Sequence, residues 1–177
     1  MVARMDWSTY AATARGSYAD PVDGSVDHLA EELRRRLVAA GQTVACAESL
    51  TGGLLSARIT SVPGSSAVFL GGVVSYASQV KREVLGITAE LVVSADCAEQ
   101  MAAGARRLLG ADWVLATTGV AGPDRQEDRP VGTVYVGIAG PGGVAAVELS
   151  LSGDRERIRT ETCERALEAL VDRLGDG

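Results

Sequence analysis

The sequence predicts an α/β protein, a three-layer α/β/α sandwich with a mixed sheet. Short β-rich apolar runs alternate with segments of helical periodicity, which is the pattern of crossover units. Two of the runs are instead joined by Gly140-Pro141-Gly142-Gly143, which reads as a hairpin and adds antiparallel pairing. The composition is 46% hydrophobic but only 4% aromatic. Small side chains of this kind favour close packing of helices on a sheet. At 177 residues the chain suits one globular domain with a well-filled core.

The elements follow in order. Residues 1–24 mix Gly, Ser, Ala, Asp and one Pro without a sustained period, and are expected to form a flexible arm preceding a domain over 25–177. Leu29, Leu33, Leu37 and Val38 recur at helical spacing across 26–40, and Gly41 is a stop signal. A short strand over 43–47 runs through Glu48-Ser49-Leu50-Thr51-Gly52-Gly53 into a helix reaching residue 60. A strand over 67–76 leads to a short helix at 79–85, and an amphipathic helix covers 96–109. Residues 113–118 read as a buried strand that ends in Gly119-Val120-Ala121-Gly122-Pro123. The hairpin strands occupy 132–139 and 144–151, and a charged helix over 154–174 closes the chain.

Composition excludes several classes of function. A net charge of −6 and a pI near 4.8 are unsuited to a nucleic-acid groove, which needs clustered positive charge. Arg34-Arg35-Arg36 reads as the solvated face of a helix. No stretch approaches the ~20 apolar residues of a membrane span, and residues 1–18 lack a signal-peptide core, so a cytoplasmic location without membrane contact is expected. Cys46, Cys97 and Cys163 are far apart and without CxxC spacing, which indicates neither a disulfide framework nor a zinc knuckle.

Two scarcities narrow the chemistry. The only histidine, His28, lies in the first predicted helix, so a His-rich metal site is excluded by counting and a Ser-His-Asp triad would have to use that residue. The 17 basic residues are 16 arginines and one lysine, Lys81. Lysine differs from arginine in being able to lose its proton near neutral pH.

Three segments carry candidate chemistry. In Ala47-Glu48-Ser49-Leu50-Thr51-Gly52-Gly53 the glycines admit a ligand to the backbone and the helix start offers unpaired N–H groups to an anion or oxyanion. Ser49 or Thr51 is equally suited to capping that helix. Tyr76 and Lys81 span a strand end and a short helix, and the lysine is either a cleft residue or a surface one. Thr117-Thr118-Gly119-Val120-Ala121-Gly122-Pro123 places hydroxyls and small residues at the carboxyl end of a strand, where open α/β sheets bind ligands. Neither a phosphate-binding loop nor a GxGxxG fingerprint is present. Arg155, after Gly153-Asp154, offers a cation for a phosphate, while Arg155 and Arg159 are also placed to pair with acids on the last helix.

Taken together and in order, these segments resemble the CinA C-terminal domain family. The resemblance rests on Ala47-Glu48-Ser49 with Thr51-Gly52-Gly53, Pro63-Gly64-Ser65-Ser66, Val74-Ser75-Tyr76 with Lys81, Thr118-Gly119-Val120-Ala121-Gly122-Pro123, Pro130-Val131-Gly132-Thr133-Val134 and Gly153-Asp154-Arg155. It implies an α/β/α homodimer that hydrolyses the carboxamide of nicotinamide mononucleotide to nicotinic acid mononucleotide and ammonia, with no cofactor or metal. It implies Ser49 as nucleophile, Lys81 as base and Tyr76 as supporting hydroxyl, with Thr51 as the reserve nucleophile. Glu48, Thr51, Gly52, Gly53, Thr118, Gly119, Gly122 and Arg155 would surround the substrate.

There are two departures from the family pattern. Leu91-Val92-Val93-Ser94-Ala95 stands where the family usually has Gly-Ala-Val-Ser-Glu, which implies a changed pocket wall or subunit contact. Asp124-Arg125-Gln126-Glu127-Asp128 replaces a commonly glycine-rich stretch and bears on the mobility of the substrate loop.

A lysine in water, with a pKa of about 10.4, is almost wholly protonated at pH 7. Burial and the pyridinium of the substrate both lower it, so a Ser49 and Lys81 pair meets the need of amide hydrolysis for a nucleophile and a base. Two alternatives stand beside this reading: a non-catalytic nucleotide-binding module of the same fold, and an amidase for another small carboxamide.

Overall fold

The computed structural model describes residues 24–175, where the periodic segments become α1 (Gly24–Ala40), β1 (Val44–Glu48), α2 (Leu54–Thr60), β2 (Phe69–Val74), α3 (Ser78–Leu85), α4 (Ala95–Leu109), β3 (Trp113–Gly119), β4 (Thr133–Gly140), β5 (Gly143–Ser150) and α5 (Arg155–Leu174). One 3-10 turn at Ser65–Ala67, absent from the sequence-based expectation, precedes β2. The arm expected at 1–24 lies outside the described residues except for Gly24, which already belongs to α1.

The strands form one sheet in the order β2-β1-β3-β4-β5. β1 lies parallel to both β2 and β3, because the connections through α2 and through α3 and α4 are crossovers; β4 and β5 run antiparallel to their neighbours. The hairpin turn falls at Pro141-Gly142, as the turn residues predict.

Strand alternation assigns each side chain to a layer. On one face Val44, Cys46, Leu115, Val136 and Ile138 pack against α1, α2 and α5 through Leu33, Leu37, Leu55, Ile158 and Leu167. On the other face Ala45, Ala47, Val114 and Ala116 meet Leu85, Met101 and Ala102 of α3 and α4. On this face β1 presents only Ala45 and Ala47, so α4 lies close to the sheet. Val38, expected on the buried stripe of α1, is exposed, because Ala30, Leu33 and Leu37 complete a narrower stripe one step round the helix. In the Arg34–Arg36 run, Arg35 and Arg36 both pair with Glu32, at 2.7 and 2.6 Å, and Arg36 also reaches the Val171 carbonyl.

The parallel strands β1, β2 and β3 end together at one edge of the sheet, and the chain leaves each of them through a loop whose N–H and C=O groups are not all committed to the ladder. That edge holds the site.

Candidate active site

Three hydroxyls stand side by side at this edge. Glu48 pairs in register with Val74 on one side and Thr117 on the other. The next step is carried by the Ser49 amide donating to the Thr117 carbonyl at 2.9 Å and the Ser75 amide to the Glu48 carbonyl at 2.8 Å. Alternation then sends Ser49, Ser75 and Thr118 to the α3/α4 face, while Glu48 and Thr117 point to α2. A cavity of about 120 Å³ opens there, lined by Ser49, Leu50, Tyr76, Lys81, Val92, Val93, the 118–122 stretch, Asp124, Gln126 and Arg155.

Glu48, expected at the substrate, is instead fully buried beneath α2. Its carboxylate accepts from the amides of Gly53, Leu55 and Ser56 at 2.8–3.0 Å and from the Ser56 hydroxyl at 2.6 Å. The positive end of the α2 backbone is thus neutralised from within by the strand that precedes it. Gly53 adopts φ +101°, a conformation that side-chain-bearing residues avoid, and so turns its N–H inward to that carboxylate.

Thr51, the reserve nucleophile, is also buried on the α2 side, its hydroxyl 2.8 Å from that of Thr117. Gly52 and Gly53 do not line the cavity either. The amides of Gly52, Gly53, Leu54, Leu55 and Ser56 all have internal acceptors, which corrects the expectation that the glycine turn presents free donors. Among the described residues the amides left without an acceptor in this turn are those of Leu50 and Thr51, directly after Ser49.

Lys81 is 2% exposed. Its Nζ reaches the Tyr76 carbonyl at 3.4 Å and makes no ion pair among the described residues. Burial pushes its pKa below the usual lysine value, opposed by the electrostatic effects of Cys97 and Glu127. Cys97 is itself pushed up to about 11 by burial, and is therefore a neutral thiol at pH 7.

The mouth of the cavity is polar. Tyr76 is 57% exposed, and its hydroxyl accepts from Arg155 Nη2 at 2.6 Å. Arg155 also donates from Nη1 to the Gly122 carbonyl at 2.7 Å, while Arg159 holds the Leu50 and Thr51 carbonyls at 3.2 and 2.7 Å. Neither arginine is spent on acids of its own helix, the alternative open from the sequence. Gly119 lies against β4 so closely that a Cβ would sit 2.6 Å from the Thr133 carbonyl oxygen, which is why the strand end must be glycine. The Thr118 hydroxyl donates to the Val92 carbonyl at 2.5 Å.

The two departures from the family pattern meet each other. The backbone of Gln126 and Arg129 is hydrogen-bonded in both directions, closing a tight turn, and Glu127 lays its carboxylate on the amides of Val92 and Val93 at 3.0 and 2.8 Å. Ser75, Val92, Val93 and Glu127 were not singled out from the sequence as site residues. Ser75 carried a signal as the middle of the Val74-Ser75-Tyr76 match, and Val92, Val93 and Glu127 only as members of the two departures; the Ser75 hydroxyl is buried without a partner among the described residues. His28 is exposed on α1, which contributes nothing to the cavity. Among the described residues no group of three or more His, Cys, Asp or Glu is placed to hold a metal ion, and no helix is long and apolar enough to cross a membrane.

A model of the CinA C-terminal domain matches residues 26–174, which include every residue of this site. The chain belongs to the CinA C-terminal domain family.

Its CinA relatives are close. The chain is 50% identical over 171 residues to a CinA-like protein of Frankia casuarinae, covering 94% of this chain and 39% of that protein. It is 48% identical over 167 residues to a CinA-like protein of an Anaeromyxobacter species, covering 90% and 41%. The chain therefore spans about two fifths of the length of these relatives. Among solved CinA structures, the competence/damage inducible protein CihA from Agrobacterium tumefaciens superposes with a TM-score of 0.83 at 34% identity, covering 89% of this chain and 99% of that one. The competence damage-inducible protein A of Klebsiella pneumoniae gives 0.81 at 34% identity, covering 84% and 96%. The mixed five-stranded sheet with helices on both faces is the CinA fold.

Proposed function

We propose that this chain is a metal-free amidohydrolase that converts nicotinamide mononucleotide to nicotinic acid mononucleotide and ammonia. The observation that carries the reading is a buried lysine without an ion-pair partner among the described residues, sharing a small cavity with Ser49. Burial favours the neutral amine, the form able to take a proton from a serine hydroxyl.

In the proposed reaction Ser49 Oγ attacks the carboxamide carbon while Lys81 Nζ takes the hydroxyl proton. The amides of Leu50 and Thr51, which lack other acceptors among the described residues, suit the resulting oxyanion. Lys81 then passes its proton to the departing nitrogen, which leaves as ammonia. Water attacks the acyl-serine with Lys81 again as base, freeing the carboxylate and restoring Ser49. Arg155 at the mouth, on the first residue of α5, suits the 5′-phosphate.

The test is ammonia release by the purified protein from nicotinamide mononucleotide, its riboside and free nicotinamide. A rate on the mononucleotide well above the other two is the expected result. Equal rates would make the protein a general small-carboxamide amidase, and no release from any would leave a binding module. A cytoplasmic homodimer belongs to the same proposal. The edge strand β2 leaves Leu70 and Val74 about half exposed, and sedimentation at micromolar concentration measures the association.

A further inference from the structure

Glu127 is engaged by no part of the reaction above, yet its carboxylate bonds to one wall of the cavity. Glu127 and Asp128 are the non-glycine residues with positive φ among those described, at +51° and +59°. They occupy the centre of the turn closed by Gln126 and Arg129. L-residues avoid this conformation, and two in succession persist only where the surroundings over-determine them. Here the restraint is visible: both Glu127 oxygens are bonded to consecutive amides, and the Val92 carbonyl between them is held from the other side by Thr118. Asp124 and Gln126 of the same hairpin line the cavity with Val92 and Val93.

We propose that Glu127 is a positioning residue of the active site: it fastens the 124–128 hairpin to the Val92–Val93 wall and so fixes a carboxylate on the wall of the cavity that holds Lys81. Burial favours the neutral amine of Lys81, and the Glu127 carboxylate acts on it in the opposite sense. Around Lys81, α4 contributes Cys97, neutral at pH 7; the hairpin contributes Glu127 and, across the cavity, Asp124; α5 contributes Arg155 at the mouth; the segment after β2 contributes Tyr76, and the strand ends the uncharged Ser49 and Thr118.

The inference rests on the proposed reaction for the purpose of Lys81 but not for its test. Because Lys81 is the only lysine, lysine labelled with carbon-13 at Cε gives one resonance whose titration reports this side chain alone. In Glu127→Gln the shape is kept and the charge removed, and the exposed hairpin lies outside both core clusters, so the variant is expected to fold. The lysine midpoint should fall by roughly half a pH unit or more. Hydrogen exchange at the Val92 and Val93 amides should quicken by about tenfold or more, since a charge-assisted acceptor is lost. Glu127→Asp keeps the charge on a shorter arm, and should quicken exchange while leaving the lysine midpoint near that of the wild type. A lysine midpoint unmoved in Glu127→Gln, whatever the amides do, makes Glu127 a structural fastener and overturns the proposal. If the wild type releases no ammonia, the proposed reaction fails while the lysine titration still decides this point. If it does, the acid limb of kcat/KM should move down with the lysine midpoint.

Discussion

Arg155 donates to the Tyr76 hydroxyl at 2.6 Å, joining the first residue of α5 to the segment after β2 across the cavity mouth. Its second bond, to the Gly122 carbonyl, brings in the loop after β3, so one guanidinium gathers three elements distant in sequence. In Arg155→Ala, KM for the mononucleotide should rise by roughly 10- to 100-fold, the size of a lost charged hydrogen bond, with kcat little changed. The riboside, without a phosphate, should be nearly indifferent. Equal losses on both substrates in steady-state ammonia release would mean that Arg155 serves to hold Tyr76 rather than the phosphate.

Lys81→Arg keeps the positive charge and removes the base. Activity should fall by roughly 10²–10⁴-fold, and Ser49→Ala should fall at least as far, while substrate binding measured by calorimetry changes much less. A Lys81→Arg enzyme retaining more than about a tenth of the rate would point to an electrostatic lysine.

Burial of Lys81 also has a consequence for folding. Its native pKa lies below its unfolded one, so between the two the unfolded chain binds more protons and stability rises with pH. Below the native value the penalty of charging a buried amine is fully present; above 10.5, the ordinary value, it has vanished. In urea titrations from neutral pH toward that value, the wild type should gain stability relative to Lys81→Met. A constant difference across the range would show that the lysine titrates alike in both states.

Glu48 predicts a stability effect where the family resemblance implies a substrate contact. Glu48→Ala leaves three amides and a hydroxyl at the start of α2 without their acceptor, each worth about 1–3 kcal/mol when buried. A loss of at least about 3 kcal/mol in chemical denaturation is expected, with Glu48→Gln milder because one oxygen still accepts. A variant as stable as the wild type but impaired in KM would return Glu48 to the substrate.

Every strand and longer helix lay within a few residues of its expected place, because periodicity and Gly or Pro punctuation are local signals that survive packing. The isolation of Lys81 among 16 arginines and the small, hydroxyl-bearing strand ends were equally legible, since they are properties of residue type and spacing. The direction in which each site residue points was not legible. Glu48 and Ser49 are adjacent, and only the register of β1 between β2 and β3 sends one to α2 and the other to the cavity. The junction of Arg155 with Tyr76 and the grip of Glu127 on Val92 and Val93 are long-range pairings. Such pairings carry no periodic signature, because hydrogen-bonding side chains take whichever partner the packed layers bring within 3 Å.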